Sequence, residues 1–197
     1  MKLKELKMHN LEEVIRALCK RVIAEKETLT TLDQTVGDGD FGVNLERGAV
    51  AVLAALDRSQ IQEPTSQLLS RLAMTLNAAG CGTCGTLISF GMLAGAARSD
   101  DLGAFLEAAL GKIMQAGRAQ LGEKTMIDAL QPAVAALNKG GTLEDAAKAA
   151  QRGAEATKEM AGAKGRSVYS ASRAKGTPDP GAYLIAALME EAAHGGR

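Results

Sequence analysis

Leu32-Asp33-Gln34-Thr35-Val36-Gly37-Asp38-Gly39-Asp40-Phe41-Gly42-Val43-Asn44 carries three carboxylates within eight positions, two of them on either side of a glycine. Like charges this close repel one another unless a cation sits between them. Oxygen ligands suit Mg²⁺, Ca²⁺ or Mn²⁺ rather than zinc. The stretch also divides the chain. A helical apolar pattern runs up to it and another starts just after it, so the acidic residues occupy a corner between two helices.

Before the corner, Asn10-Leu11-Glu12-Glu13 reads as a capping box with Asn10 as N-cap. Leu11, Val14, Ile15, Leu18, Val22 and Ile23 then recur at helical spacing and predict one helix to about Leu29. After the corner, Val43, Ala49, Val50, Leu53 and Ala54 form the apolar set of a second helix ending at Leu56. Pro64 opens a third at a first-turn position, with Leu68, Leu69, Leu72 and Leu76 inside it. Gly80-Cys81-Gly82-Thr83-Cys84-Gly85-Thr86 interrupts the pattern, and a fourth helix follows over 87–98. Ser99-Asp100-Asp101 caps a fifth that ends near Gly117. A sixth lies between Gly122-Glu123-Lys124-Thr125 and Gly140-Gly141. Thr142-Leu143-Glu144-Asp145 caps a seventh that runs to about Ala161. A polar stretch, 162–179, then leads to Pro180, which opens an eighth. No strand alternation and no fixed-period repeat appear.

Composition agrees. Aromatic residues are 3% of the chain and tryptophan is absent, while alanine and leucine dominate, which favours helix over sheet. The 197 residues suffice for one domain with its own core, read here as 1–197. A formal net charge of zero excludes the basic face of a nucleic-acid binder. No apolar run reaches the ~18–20 residues of a membrane span. Met1-Lys2-Leu3-Lys4-Glu5-Leu6-Lys7 lacks the apolar segment of a secretory signal, so the expected location is cytoplasmic.

Three cysteines are too few for a disulfide framework. Cys81 and Cys84 form a C-x-x-C. A zinc site would need a second ligand pair, and the histidines, His9 and His194, sit near the termini. A thioredoxin-like pair would need a βαβ setting. Two small residues in a glycine-rich turn is the favoured reading.

The fold expected is all-α, an up-and-down set of about eight helices in which neighbours joined by short loops pack antiparallel. Four loops carry glycine with polar or charged groups: 33–42, 80–86, 117–125 and 162–181. They follow helices one, three, five and seven, so alternation brings them to one rim. There the corner offers metal ligands, and the glycine run offers N–H groups at a helix start, where the dipole favours anions. Lys124, Arg166, Arg173 and Lys175 add positive charge. Alone, the acidic corner reads equally well as a plain turn, the glycine run reads better as a helix–helix turn, and the basic 164–175 segment reads better as a solvated loop. Together they describe a site for a metal-bound nucleoside di- or triphosphate.

The set of motifs resembles the dihydroxyacetone kinase L-subunit family, the ADP-binding DAK2-domain type. The matching blocks are Asp33-x4-Asp38-Gly39-Asp40, Gly42-x-Asn44 with Arg47-Gly48, and Gly82-Thr83-Cys84-Gly85 at the phosphate loop. Lys124-Thr125-Met126-x-Asp128, Gly165-Arg166-Ser167-x-Tyr169 and Asp179-Pro180-Gly181-Ala182 complete them. Order and spacing hold from about residue 25 to 190.

The resemblance implies an eight-helix antiparallel up-and-down barrel with ADP or ATP at one end. Asp33, Asp38 and Asp40 would hold two Mg²⁺ ions. Phe41, Asn44, Thr83, Cys84, Gly117, Met126, Arg166, Asp179 and Gly181 would line the nucleotide. It further implies phosphoryl transfer to dihydroxyacetone or a related ketose, held by a separate K-type subunit through a histidine, with no general base from this chain. The donor is open between ATP and a phosphohistidine carrier, as are a homo-oligomer and a regulatory role as a nucleotide-loaded partner of a transcription regulator. Two positions depart from the family pattern: Phe41 stands where histidine is usual, and Cys84 where serine is common. A phenyl ring has no hydrogen-bond donor and a thiol is a weak one.

Overall fold

The computed structural model describes residues 8–58, 63–164 and 174–195. Among them the regular structure is helical throughout. The helices are α1 (Met8–Ala24), α2 (Lys26–Val36), α3 (Phe41–Leu56), α4 (Thr65–Ala78), α5 (Gly82–Ala96), α6 (Leu102–Gly117), α7 (Ile127–Asn138), α8 (Leu143–Ala156) and α9 (Pro180–Gly195), with a 3-10 turn over Thr157–Glu159. None of the described helices is long and apolar enough to cross a membrane.

The expected first helix is two. Glu25 breaks it, and α2 continues past Leu29 to Val36, so Asp33 lies in a helix rather than in the loop. The apolar pattern is continuous across Glu25, and the break is one residue turned to φ −84° and ψ 2°. The Glu25 carboxylate accepts from Arg21 at 3.0 Å and from the Tyr183 hydroxyl of α9 at 2.9 Å. Asn10 lies within α1 rather than before it, so it is not the N-cap the sequence suggests.

Three other boundaries move. Pro64 is the residue before α4, with ψ of 142°, and not its first helical residue. α5 begins at Gly82, so most of the glycine run is a helical first turn. α8 stops at Ala156, where the chain tightens into the 3-10 turn, and the Thr157 hydroxyl donates to the Ala154 carbonyl at 2.5 Å. The caps hold where they were read: Asp101 accepts from Ala104 N–H, and Thr142 with Asp145 forms a reciprocal capping box. In α3 the buried face is Gly42, Leu45, Gly48, Ala49, Val52 and Leu56, while Val43 and Val50 face outward. This alanine-rich helix is apolar nearly all round, so spacing alone does not select its inner face.

The helices pack in chain order from α3 to α9, and α9 returns to α1, which packs on α3. This closes a ring in which α1 and α2 together act as one member. Two apolar clusters fill it. One joins Leu29 and Leu45 to Ile113, Ile127, Val134, Leu184 and Met189. The other, Leu11, Ile15, Val52, Leu56, Leu68 and Leu72, fills the end away from the four polar loops.

The tightest helix contact follows from a proline. Pro132 in α7 has no N–H to give the carbonyl of Asp128, four residues back. α8 closes onto that carbonyl: a Cβ on Gly153 would lie 2.0 Å from the oxygen. Gly153→Ala should therefore force the two helices apart and lower stability by about 1–3 kcal/mol in urea denaturation. A change inside the error of that measurement would show that the contact relaxes freely.

Candidate functional site

The corner between α2 and α3 gathers the carboxylates. One oxygen each from Asp33, Asp38 and Asp40 lie within 4.8 Å of one another. Asp33 is buried, and the other two are exposed. Asp33 comes from the last turn of α2, and its Oδ2 accepts from Phe41 N–H, the first residue of α3, at 3.3 Å. Between them Gly39 has φ of +77°, a conformation that lets the chain reverse within three residues. The donor set is oxygen only, which fits a hard divalent cation such as Mg²⁺. Among the described residues this is the one such cluster.

The turn between α4 and α5 supplies amides. The Gly85 N–H bonds to the Cys81 carbonyl at 3.3 Å and is the first to do so in α5. The N–H groups of Gly82, Thr83 and Cys84 therefore precede the helical ladder, where they are open to an anion. Cys81 and Cys84 are free thiols, and Cys81 donates to the Leu76 carbonyl at 3.1 Å. Burial pushes both thiols above the ordinary cysteine range. They are wall residues, as the glycine-rich-turn reading expects.

The other two loops are joined by a buried ammonium. Lys124 is 1% exposed, and its Nζ donates to the carbonyls of Thr157 at 2.5 Å and Thr177 at 2.8 Å. Desolvation lowers its pKa, opposed by Asp179, Glu159 and Asp128. Lys124 was expected among the cations facing an anion. It does line the cavity, and its ammonium also ties the α6–α7 loop to the segment entering α9. Asp128, also buried, accepts from Gly122 N–H at 2.5 Å and Thr125 N–H at 2.7 Å and so shapes the same loop. Thr157 Oγ1 accepts from Asp179 N–H at 2.8 Å, and the Asp179 side chain caps α9 through Ala182 N–H at 2.8 Å. Burial pushes the Asp179 carboxyl up to about 7; Asp128 adds to this, while the Ala182 N–H, Lys124 and the Gly181 N–H oppose it.

All four loops border one cavity of about 420 Å³. Asp33, Asp40, Phe41, Asn44, Thr83, Cys84, Gly117, Met126, Asp179 and Gly181 line it. Asp38 is outside the lining and joins the site through the carboxylate cluster. Arg166 and Arg173 lie outside the described residues, and so does the block from Gly165 to Tyr169. Lys164 lines the cavity 3.8 Å from Glu123. Sequence reasoning missed the apolar wall of Val36, Leu87, Ile113 and Ile127. These side chains carry no signal beyond helical periodicity, which marks core and cavity wall alike.

A family profile described as the DAK2 domain matches residues 35–194. The PEP-dependent dihydroxyacetone kinase 1, ADP-binding subunit DhaL of Listeria innocua is 34% identical over 177 residues, covering 86% of this chain and 87% of that one. A putative 3,4-dihydroxy-2-butanone kinase of Solanum lycopersicum is 33% identical over 204 residues, covering 94% of this chain. The crystal structure of the C. freundii dihydroxyacetone kinase with AMP-PNP and Mg²⁺ superposes with a TM-score of 0.77 at 28% identity, covering 93% of this chain. This chain spans only 34% of the tomato protein and 33% of that crystallised one.

The proton on Asp179 is held more tightly in the folded chain than in the unfolded one, where the carboxyl titrates near 3.8. Its contribution is therefore complete at low pH and declines as pH rises from about 4 to about 7. Urea denaturation across that range should show the wild type losing stability relative to Asp179→Asn, with the difference level above pH 8. Parallel profiles for the two proteins would contradict a raised Asp179.

Proposed function

Because this chain belongs to the DAK2-domain family, we propose that it is the nucleotide-carrying, Mg²⁺-dependent part of a kinase for dihydroxyacetone or a related small ketose, working with a K-type subunit that holds the ketose. One observation carries the reading: an all-oxygen carboxylate cluster and a helix N-terminus border the same cavity.

In this reading Asp33, Asp38 and Asp40 hold two Mg²⁺ ions, which supply charge neutralisation on the phosphoryl oxygens. The amides of Gly82, Thr83 and Cys84 and the side chains of Thr83 and Asn44 bind phosphate. Phe41, Met126 and Gly117 bound the rest of the nucleotide, with Asp179 and Gly181 on the side of α9, and Arg166 is assigned to the nucleotide by the family motif alone. Phe41 packs its ring against the core and offers its backbone N–H to Asp33, so it orients a metal ligand rather than donating to phosphate. Catalysis is by positioning, and the reading needs no general base from this chain. The PEP-dependent name of the Listeria relative favours bound ADP recharged by a phosphohistidine carrier over ATP exchanging from solution.

Titration with ADP should show binding that depends on Mg²⁺. At a hundred times its dissociation constant, Mg–ADP should stabilise the fold by ~2.7 kcal/mol. Asp38 is exposed, so Asp38→Ala should fold normally and lose that stabilisation. An unchanged thermal shift in the variant would remove the metal assignment. With a K-type subunit and a phosphoryl donor, transfer to a short ketose is expected. Nucleotide binding without transfer to any such ketose would leave a nucleotide-loaded binding protein instead.

A further inference from the structure

The geometry points to Arg47 as a positioning residue of the nucleotide site: its guanidinium fixes Asn44 and the α4–α5 turn so that their N–H donors face the phosphates. The inference rests on the nucleotide reading above and concerns a side chain outside the cavity lining.

Arg47 lies one turn beyond Asn44 on α3. Its Nε donates to the Ala79 carbonyl at 2.8 Å, and its Nη2 donates to the Gly80 carbonyl and to Asn44 Oδ1 at 2.8 Å. The turn is irregular, with φ of 68° at Gly80 and 65° at Gly82. Its two carbonyls point at the guanidinium, which leaves the amides that follow to start α5 at the cavity wall.

The choice at Asn44 follows from chemistry. A guanidinium has donors only, so the atom of Asn44 that meets it must be the oxygen. The amide nitrogen is then on the other side. Nδ2 lies 3.5 Å from where a Cβ on Gly82 would be, beside the first amides of α5. Without Arg47 the amide can turn its oxygen to the same place, where it would repel a phosphate. A lysine keeps the charge but not the planar fork that spans three acceptors.

Arg47 is exposed, so its removal opens no core cavity and the variants should fold, with melting temperatures near that of the wild type. Dissociation constants for Mg–ADP and for adenosine, measured by calorimetry, separate positioning from general damage. Arg47→Ala should weaken Mg–ADP by about ten- to hundredfold and leave adenosine within about twofold, since hydrogen bonds to phosphate carry the loss. Arg47→Lys should recover less than half of the loss on a logarithmic scale. In the Arg47→Ala background, Asn44→Ala should add little, whereas alone it should weaken Mg–ADP clearly. Equal losses for ADP and adenosine, full rescue by lysine or additive effects in the cycle would each overturn the role of Arg47 while leaving the nucleotide reading in place. A wild type that binds no Mg–ADP would overturn both.

Discussion

A single buried ammonium organises half of the rim. Lys124 emerges from a left-handed backbone position, φ 58°, and reaches the carbonyls of Thr157 and Thr177. Removing such a charge from water is costly unless hydrogen bonds replace the lost hydration. Here the bonds come from two segments remote in sequence, so satisfying the charge also sets where those segments run. Thr157 extends the arrangement by bonding Asp179, and Asp128 holds the loop that carries Lys124. The α6–α7 loop, the end of α8 and the start of α9 are thus one connected unit. Loosening any of these bonds would leave a buried polar group unpaired, which typically costs about 1–3 kcal/mol.

The opposite side of the cavity is built on a different device. There the charge is negative, buried at Asp33 and exposed at Asp38 and Asp40, and order comes from backbone shape. Asp33 is anchored in α2, Gly39 reverses the chain, and Phe41 N–H returns to the Asp33 carboxylate. The close approach of α3 to α2 supports the corner, because a Cβ on Gly42 would meet the Lys26 carbonyl at 2.1 Å. One wall is therefore held by a satisfied buried charge, and the other gathers three carboxylates in an arrangement that fits a cation. In the function proposed above, a nucleotide with its metal would bridge the two, with its phosphates against the amides of α5.

Much of this was legible in the chain. Caps at Asp101 and Thr142, Pro180 at a helix start and the periodic leucines set the number and order of helices well enough to send alternate loops to one end. The acidic corner was legible as a cluster of three carboxylates, Asp33, Asp38 and Asp40, which the structure brings together; alone it read equally well as a plain turn. What stayed hidden depends on contacts distant in sequence. The break at Glu25 interrupts a continuous apolar pattern at a residue whose carboxylate is met by Tyr183 of α9, and nothing local predicts it. The glycines at Gly82 and Gly85 read as loop because glycine disfavours helix, yet the anion-ready first turn is built from them. Lysine is seldom buried, so Lys124 read only as a cation of the rim, and its bonds to the Thr157 and Thr177 carbonyls had no signal in the sequence. Arg47 stood in a quoted motif with no role, since its acceptors are backbone carbonyls that sequence does not mark.

The central claim is that the carboxylate corner and the α5 amides form one metal–nucleotide site. Crystals grown with ADP and Mn²⁺, with data collected at the manganese absorption edge, test it directly. The account predicts anomalous density within bonding distance of Asp33, Asp38 and Asp40, and ADP phosphates against the N–H groups of Gly82, Thr83 and Cys84. Bound ADP with manganese elsewhere, or with its phosphates away from α5, would contradict it.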